Sequence, residues 1–299
     1  MVAGLLAALL AAAEPAMAQD RVPLGWGRLF NNDALADQGD RWRSGSYTIS
    51  RFMGPDWTGA PPAAFGSILE YRFSGEIISP DNVSEPDPSD RPYVGGLSAG
   101  VHTHWSTDAA QWRAGIDLVA VGEQTGVVGF QEWVHGWSGL GSGNLDVIQV
   151  PNRVYPTASG EAALPYRMGG ATVLRPFVEV QAGVESYARI GADLLIGPYW
   201  DDSLLSRDSS TGQLVRGIAG NRNPGLSAIL GGDYAYVFDS AYLPQGGPSV
   251  EPNRTRLRAG AYMQWEKVGL FYGVTWLGKE FEGQPETQLV GSLRIDILF

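Results

Sequence analysis

The feature that most constrains this chain is a two-residue period that recurs along almost its whole length. In residues 289–299, Leu289, Gly291, Leu293, Ile295, Ile297 and Phe299 share one face, and Val290, Ser292, Arg294, Asp296 and Leu298 share the other. Side chains of a strand point alternately to its two faces, so this pattern marks a strand between two different environments. The same alternation recurs over residues 46–52, 66–73, 93–105, 112–121, 172–180, 186–196, 228–238, 254–264 and 268–276. Residues 26–32 and a weaker segment near 146–155 bring the count to about twelve strands. No segment holds the roughly 18 or more consecutive apolar residues that a membrane helix needs. If the chain crosses a bilayer, it does so with strands, and lengths of about 8–11 residues suit a tilted span.

Composition supports that reading. Forty glycines and 32 aromatic residues stand against only two lysines, Lys267 and Lys279, and charged residues make up 18% of the chain. Such a balance suits a β-protein with a large exposed apolar surface. A formal charge of −11 argues against nucleic acid as a partner. There is no cysteine, so disulfides, thiolate metal sites and thiol nucleophiles are excluded. Residues 1–18 read as a secretory signal: an apolar run from Val2 to Ala13, too short to span, precedes an Ala16-Met17-Ala18 cleavage pattern. Residues 19–299 then form one domain, an all-β transmembrane antiparallel barrel of about twelve strands. Its last strand ends on Phe299, as the closing strands of outer-membrane barrels end on an aromatic residue. The edge strand of a soluble sandwich is the alternative.

Strand parity places the polar clusters. Barrels of this class have short periplasmic turns and longer external loops. Residues 78–92, 122–144, 197–227 and 239–252 are long and rich in Pro, Gly or Asp, whereas Glu266-Lys267 and Ala182-Gly183-Val184 are tight. If the first strand runs outward, connections after odd-numbered strands are external. Asn31-Asn32-Asp33, the stretch from Ser79 to Pro92, and Phe130 to Trp137 then meet on one rim. Asn32 and Asp33 offer hard oxygens of the kind calcium takes, although an isolated pair also makes an ordinary Asx turn. His135 is one of three histidines and titrates near neutral pH, so it suits a general base. Gln131 and Glu132, four and three residues before it, share or flank its face if this loop contains a helical turn. His102 and His104 share one strand face; they make a possible metal pair or simply two polar groups in a barrel lumen. No nucleophile elbow, phosphate-binding loop or zinc-protease motif is present. The Gly95-Gly96 and Gly231-Gly232 pairs read as strand-curvature devices.

Four pieces of the chain resemble the outer-membrane lipid A 3′-O-deacylases. Phe30-Asn31-Asn32-Asp33 is similar to the family's Asn-Asp at the end of the first strand. Gly39-Asp40-Arg41-Trp42-Arg43-Ser44-Gly45 is similar to its aspartate-aromatic-threonine-x-glycine stretch. Ile78-Ser79-Pro80-Asp81-Asn82 and Asp90-Arg91-Pro92-Tyr93-Val94-Gly95 resemble the exit of the third strand and the start of the fourth. Thr125-Gly126-Val127-Val128-Gly129, followed by Gln131-Glu132-Trp133-Val134-His135, resembles the helix that carries the essential histidine. The resemblance implies calcium-dependent hydrolysis of the 3′-acyloxyacyl ester of lipid A. His135 would activate water, and Asn32 and Asp33 would hold Ca2+ and help to form an oxyanion site. Arg43, Ser44, Arg91, Gln131 and Glu132 would meet the substrate.

The sequence departs from the family at three places. Arg43 falls where the family has a hydroxyl residue, with Ser44 or Ser46 as stand-ins. Residues 79–92 hold no lysine, and Arg91 is their only cation. The segment between Gly129 and Gln131 is short and lacks a proline. The expected protein is therefore a monomeric outer-membrane hydrolase among lipopolysaccharide and membrane lipids, with a short helical segment in the loop of His135. The alternatives are a non-catalytic barrel of the same fold, structural or pore-forming, and a soluble β-sandwich lectin.

Overall fold

The structure is a computed structural model that describes residues 21–37, 39, 41–82, 87, 89–131, 149–220 and 223–297. The proposed signal, Asp40, Glu132, His135 and Phe299 lie outside the described residues. Among the described residues there are fifteen strands: β1 (Val22–Asn32), β2 (Trp42–Gly54), β3 (Ile68–Ser79), β4 (Val94–Ser106), β5 (Gln111–Val121), β6 (Arg153–Ala163), β7 (Tyr166–Gly169), β8 (Thr172–Ala182), β9 (Glu185–Ile196), β10 (Leu204–Arg207), β11 (Leu214–Ile218), β12 (Gly225–Ser240), β13 (Asn253–Gln264), β14 (Val268–Leu277) and β15 (Gln288–Ile297).

Twelve of them close into an antiparallel barrel. The order runs β6-β5-β4-β3-β2-β1-β15-β14-β13-β12-β9-β8, and β6 pairs back onto β8 through Ala158↔Ala182 to Ala163↔Phe177. The first and last strands meet at Phe30↔Leu293 and Asn32↔Gly291. Closure leaves no open sheet edge, the condition for a sheet to sit in lipid. β7 is a short extension that pairs only with β8. Among the described residues, no helix is long and apolar enough to cross a membrane.

The alternation resolves into an outer apolar face and an inner charged one. Ile116, Leu118, Val180, Ile190, Leu230 and Ile295 are more than half exposed on the outside, while Glu70, His102, His104, Arg113, Asp193 and Arg258 are buried on the inside. This is the inverse of a soluble protein, as expected where lipid lies outside and the lumen is polar. The inward charges pair across strands: Arg258 with Asp193 and Asp233, Arg113 and Arg189 with Glu179, and Arg175 with Glu161. Glycine makes room for one of these pairs. A Cβ on Gly231 would lie 2.4 Å from the Asp193 carboxylate. His102 and His104 each meet a carboxylate, Asp117 at 3.1 Å and Glu70 at 2.7 Å, and are used as luminal polar groups.

Three expectations about the connections are corrected. The sixth strand lies at Arg153–Ala163, not near 146–155. The tight turn at 182–184 belongs to the same rim as the end of β1, so not every short turn is on the opposite side. Most important, residues 197–224 are not an external loop. They leave β9 at the end of the barrel that holds both termini and fold back into the lumen as the β10–β11 hairpin. Arg207 of this hairpin binds Glu161 and Asp193, both at 2.9 Å, and lies 3.6 Å over the Phe177 ring. Tyr199 stacks on Tyr262, and Arg216 lies 3.8 Å over the Tyr199 ring. The lumen is thus plugged, and between plug and wall remains a cavity of about 100 Å³.

Candidate functional site

β1, β3 and β5 end on the rim opposite the termini, here the distal rim, and the described parts of the three polar clusters follow them there; residues 132–137 of the third lie outside the described residues. At the end of β1, Asn32 caps a 3-10 turn, Asp33–Leu35, by accepting from the Ala34 amide at 2.9 Å. Asn is favoured at such a cap because its short side-chain carbonyl reaches an otherwise unpaired amide. Asp33 is buried at the start of the turn. Its Oδ1 accepts from the Ala34 amide and its Oδ2 from the Arg41 amide, each at 2.9 Å. Gln288 of β15 also reaches Asp33 Oδ2, at 3.4 Å, and donates to the Arg41 carbonyl. The carboxylate therefore ties the end of β1 to the start of β2.

Asn31, one residue earlier, points into the lumen. It donates to Ser46 at 2.9 Å and to Asp208 at 3.1 Å and accepts from Ser292 at 2.7 Å. Asp208 sits at the tip of the luminal hairpin. Its Oδ2 also accepts from the Thr211 amide and hydroxyl, both at 2.8 Å. The plug thus reaches from the terminal end of the barrel to the residue next to Asn32.

The neighbouring connections lock onto this corner. Arg41 spans Asp81 at 3.2 Å and Glu286 at 3.1 Å, joining the β1–β2, β3–β4 and β14–β15 connections. Ser44 and Ser79 share a hydrogen bond of 2.6 Å between buried hydroxyls. A helical segment begins at residue 127 and is described as far as Gln131, which is buried and accepts from the Tyr93 hydroxyl. The expected short helix is therefore present, and Tyr93 anchors it to the start of β4. Glu132 and His135 follow it in sequence and lie outside the described residues.

Arg43 and Arg91 are not open substrate contacts. Arg43 points into the mouth of the lumen and is held by Glu280 at 2.9 Å, Glu76 at 3.2 Å and Glu185 at 3.5 Å. Arg91 is buried on Glu280 at 2.5 Å, and Arg254 reaches Glu185 at 2.9 Å. Three arginines and three glutamates form a balanced lid beneath the rim, with Tyr242 donating to Glu76. Burial alone would raise the Glu280 carboxyl; Arg43, Arg91 and Arg254 outweigh it and hold the group well below the usual carboxylate range. The Arg91 guanidinium is pushed down by burial, against the pull of Glu280. None of the three glutamates had been singled out. Parity held the signal for one: Glu70, Arg72, Ser74 and Glu76 share the inward face of β3, and a charge placed there needs a partner.

Asn32 and Asp33 are hard-oxygen donors and so are of the right type for calcium. Their number is small. Calcium takes about six to eight oxygens, and among the described residues no group of three or more His, Cys, Asp or Glu side chains is placed to hold a metal. An ion seated here would draw most of its other oxygens from water and substrate.

Comparison with known proteins agrees with this fold. The profile of the outer membrane protein LpxR family matches residues 5–299. The chain belongs to that family. LpxR from Salmonella typhimurium superposes with a TM-score of 0.74 at 18% identity, over 92% of this chain and 100% of that one. At this identity the likeness establishes a shared fold. The β-domain of the Bordetella autotransporter BrkA covers 94% of this chain at 11% identity, with a TM-score of only 0.42. No curated protein matches. Membership of the LpxR family, with the closed twelve-stranded barrel, makes this a bacterial outer-membrane protein of the lipid A deacylase family.

Proposed function

We propose that this LpxR-family barrel hydrolyses the 3′-linked acyloxyacyl ester of lipid A. The observation that carries the proposal is the placement, on one rim, of the Asn32-Asp33 turn and of the helix described as far as Gln131, four residues before His135 in sequence. In the reaction, His135 takes a proton from water as the water oxygen attacks the ester carbonyl. The proton then passes to the departing alkoxide, which leaves as an alcohol beside a free fatty acid. Asn32 and Asp33 orient the ester and, when calcium is bound there, the ion polarises its carbonyl. Gln131 and Glu132 precede His135 by four and three residues in sequence, and Ser44 lies beneath the corner of the Asn32-Asp33 turn.

The test is mass spectrometry of lipid A from cells that express the parent or His135→Ala, with calcium or a chelator. Loss of one 3′-linked acyloxyacyl chain with the parent alone, abolished by the chelator, is expected. Unchanged lipid A with the parent in calcium would overturn the reading. One observation favours a second reading, a non-catalytic barrel of the same fold. Arg43 stands where the family has a hydroxyl residue, and three carboxylates hold it in the lumen. A pore is disfavoured by the luminal hairpin.

A further inference from the structure

The charge of this chain is not spread over it. The six distal connections comprise residues 33–41, 80–93, 122–152, 183–184, 241–252 and 278–287. They contain fourteen Asp or Glu residues and three cations, Arg41, Arg91 and Lys279. Their formal charge of −11 equals that of the whole chain; the remaining eighteen acidic and eighteen basic residues cancel. The described residues of these connections hold ten of the acidic residues and all three cations, a formal charge of −7 on the rim that carries the candidate site.

The cations on that rim are largely spent. Arg91 is buried on Glu280. Arg41, a quarter exposed, is held between Asp81 and Glu286. Arg43, just below, is enclosed by three glutamates. Recognition of a phosphate calls for cationic donors that can be turned to it, typically a bidentate arginine. Among the described residues of the distal connections, only Lys279 is exposed and without a carboxylate partner. A rim whose described residues carry −7 also repels a phosphorylated headgroup over about a Debye length, roughly 8–10 Å at moderate salt.

We infer that the distal rim selects lipid A headgroups of low negative charge, in which phosphate is missing or offset by an amine. This rests on the lipid A reading of the site, but binding can be measured apart from hydrolysis. Like-charge repulsion acts on the encounter, so the discrimination is electrostatic and salt-dependent. Releasing Arg41 should relax it. Asp81 and Glu286 are both exposed, so Asp81→Asn with Glu286→Gln frees a guanidinium with little effect on stability.

The experiment uses full-length protein in detergent. It is offered bis-phosphorylated lipid A or the same lipid A chemically dephosphorylated, in mixed micelles with a chelator present. Binding is read by surface capture in chelator, and acyl release by mass spectrometry after calcium is restored. Binding should favour the dephosphorylated lipid by about tenfold at low salt, and high salt should bring the ratio toward one. The Asp81→Asn, Glu286→Gln variant should gain several-fold on the phosphorylated lipid alone. Equal or tighter binding of the phosphorylated lipid in chelator overturns the inference. So does a preference for it that appears once magnesium is restored, which would point to cation bridging instead. A retained binding preference with no acyl release from either lipid once calcium is restored supports the inference and removes only the hydrolase reading.

Discussion

Glu280→Gln tests whether the lid at the mouth of the lumen is a structural unit. The substitution keeps the side-chain shape and removes one charge. It takes the counter-ion from Arg43 at 2.9 Å, from Arg91 at 2.5 Å and from Arg254 at 3.7 Å. Arg43 keeps Glu76 and Glu185, and Arg254 keeps Glu185. Glu280 is the only carboxylate paired with the Arg91 guanidinium among the described residues. A 2%-exposed guanidinium is thus left without a counter-charge. Breaking a buried pair in this way costs about 3–5 kcal/mol, which for a chain of this size lowers the melting temperature by roughly 5–10 °C. The assay is the heat-dependent mobility shift of the barrel in detergent gels, with tryptophan fluorescence as a second probe. Arg91→Met in the Glu280→Gln background removes the orphaned charge and should restore most of the loss, giving a coupling above about 1.5 kcal/mol. A Glu280→Gln protein that melts within about one degree of the parent would refute the argument, as would a double variant no more stable than the single one. The pH dependence has a definite sign. The folded carboxyl lies below its unfolded value, so its contribution is fully present above that value, near ~4.3, and is lost as pH falls toward the folded one. The parent should therefore lose heat resistance below about pH 4, and Glu280→Gln should lose less.

Two further substitutions probe the plug and the wall. A Cβ on Gly217 of β11 would lie 2.2 Å from the buried Phe52 ring, so Gly217→Ala should cost about 1–3 kcal/mol by overpacking. Urea unfolding followed by fluorescence should show that loss, and Phe52→Leu added to it should relieve part. Ile116 is 65% exposed on the outer face of β5, so Ile116→Arg should cost about 2–4 kcal/mol in a bilayer. The same change at Glu282 in a distal connection should fall within about 0.5 kcal/mol, both measured by heat-dependent mobility after reconstitution.

The barrel was legible because lipid outside and polar groups inside impose a strict period of two, and eleven of the twelve wall strands lie where the alternation places them. The exception is β6, whose Pro156, Ala158, Gly160 and Ala162 blur the contrast between faces. Parity also brought Asn32, Asp33, Arg91 and Gln131 to one rim from positions up to 99 residues apart. The luminal hairpin was hidden for a physical reason. Residues 197–224 are rich in Gly, Asp and Ser and contain only two short strands, as an exposed loop does. Their burial depends on charges from distant strands: Glu161 and Asp193 for Arg207, and Asn31 for Asp208. The same holds for Arg43. Its identity marks a departure from the family pattern, but its role is set by Glu76, Glu185 and Glu280, contributed by three other parts of the chain.

These features assign different tasks to the two ends of the barrel. From the terminal end, the hairpin and its arginine–carboxylate contacts fill the lumen. At the distal end, the Arg43, Arg91 and Arg254 lid closes what remains, leaving a cavity of about 100 Å³. A substrate with long acyl chains cannot be drawn through such an interior. On the proposed reading, lipid A would approach from the side, with its chains in the bilayer against the apolar outer wall and its headgroup against the acidic rim. The Asn32-Asp33 turn lies at that boundary, because β1 ends there and its outward residue Phe30 faces lipid while Asn31 faces the lumen. The plug touches this corner through Asp208, so a change at the hairpin tip should be felt at the rim as displacement of Asn31 rather than as opening of a channel.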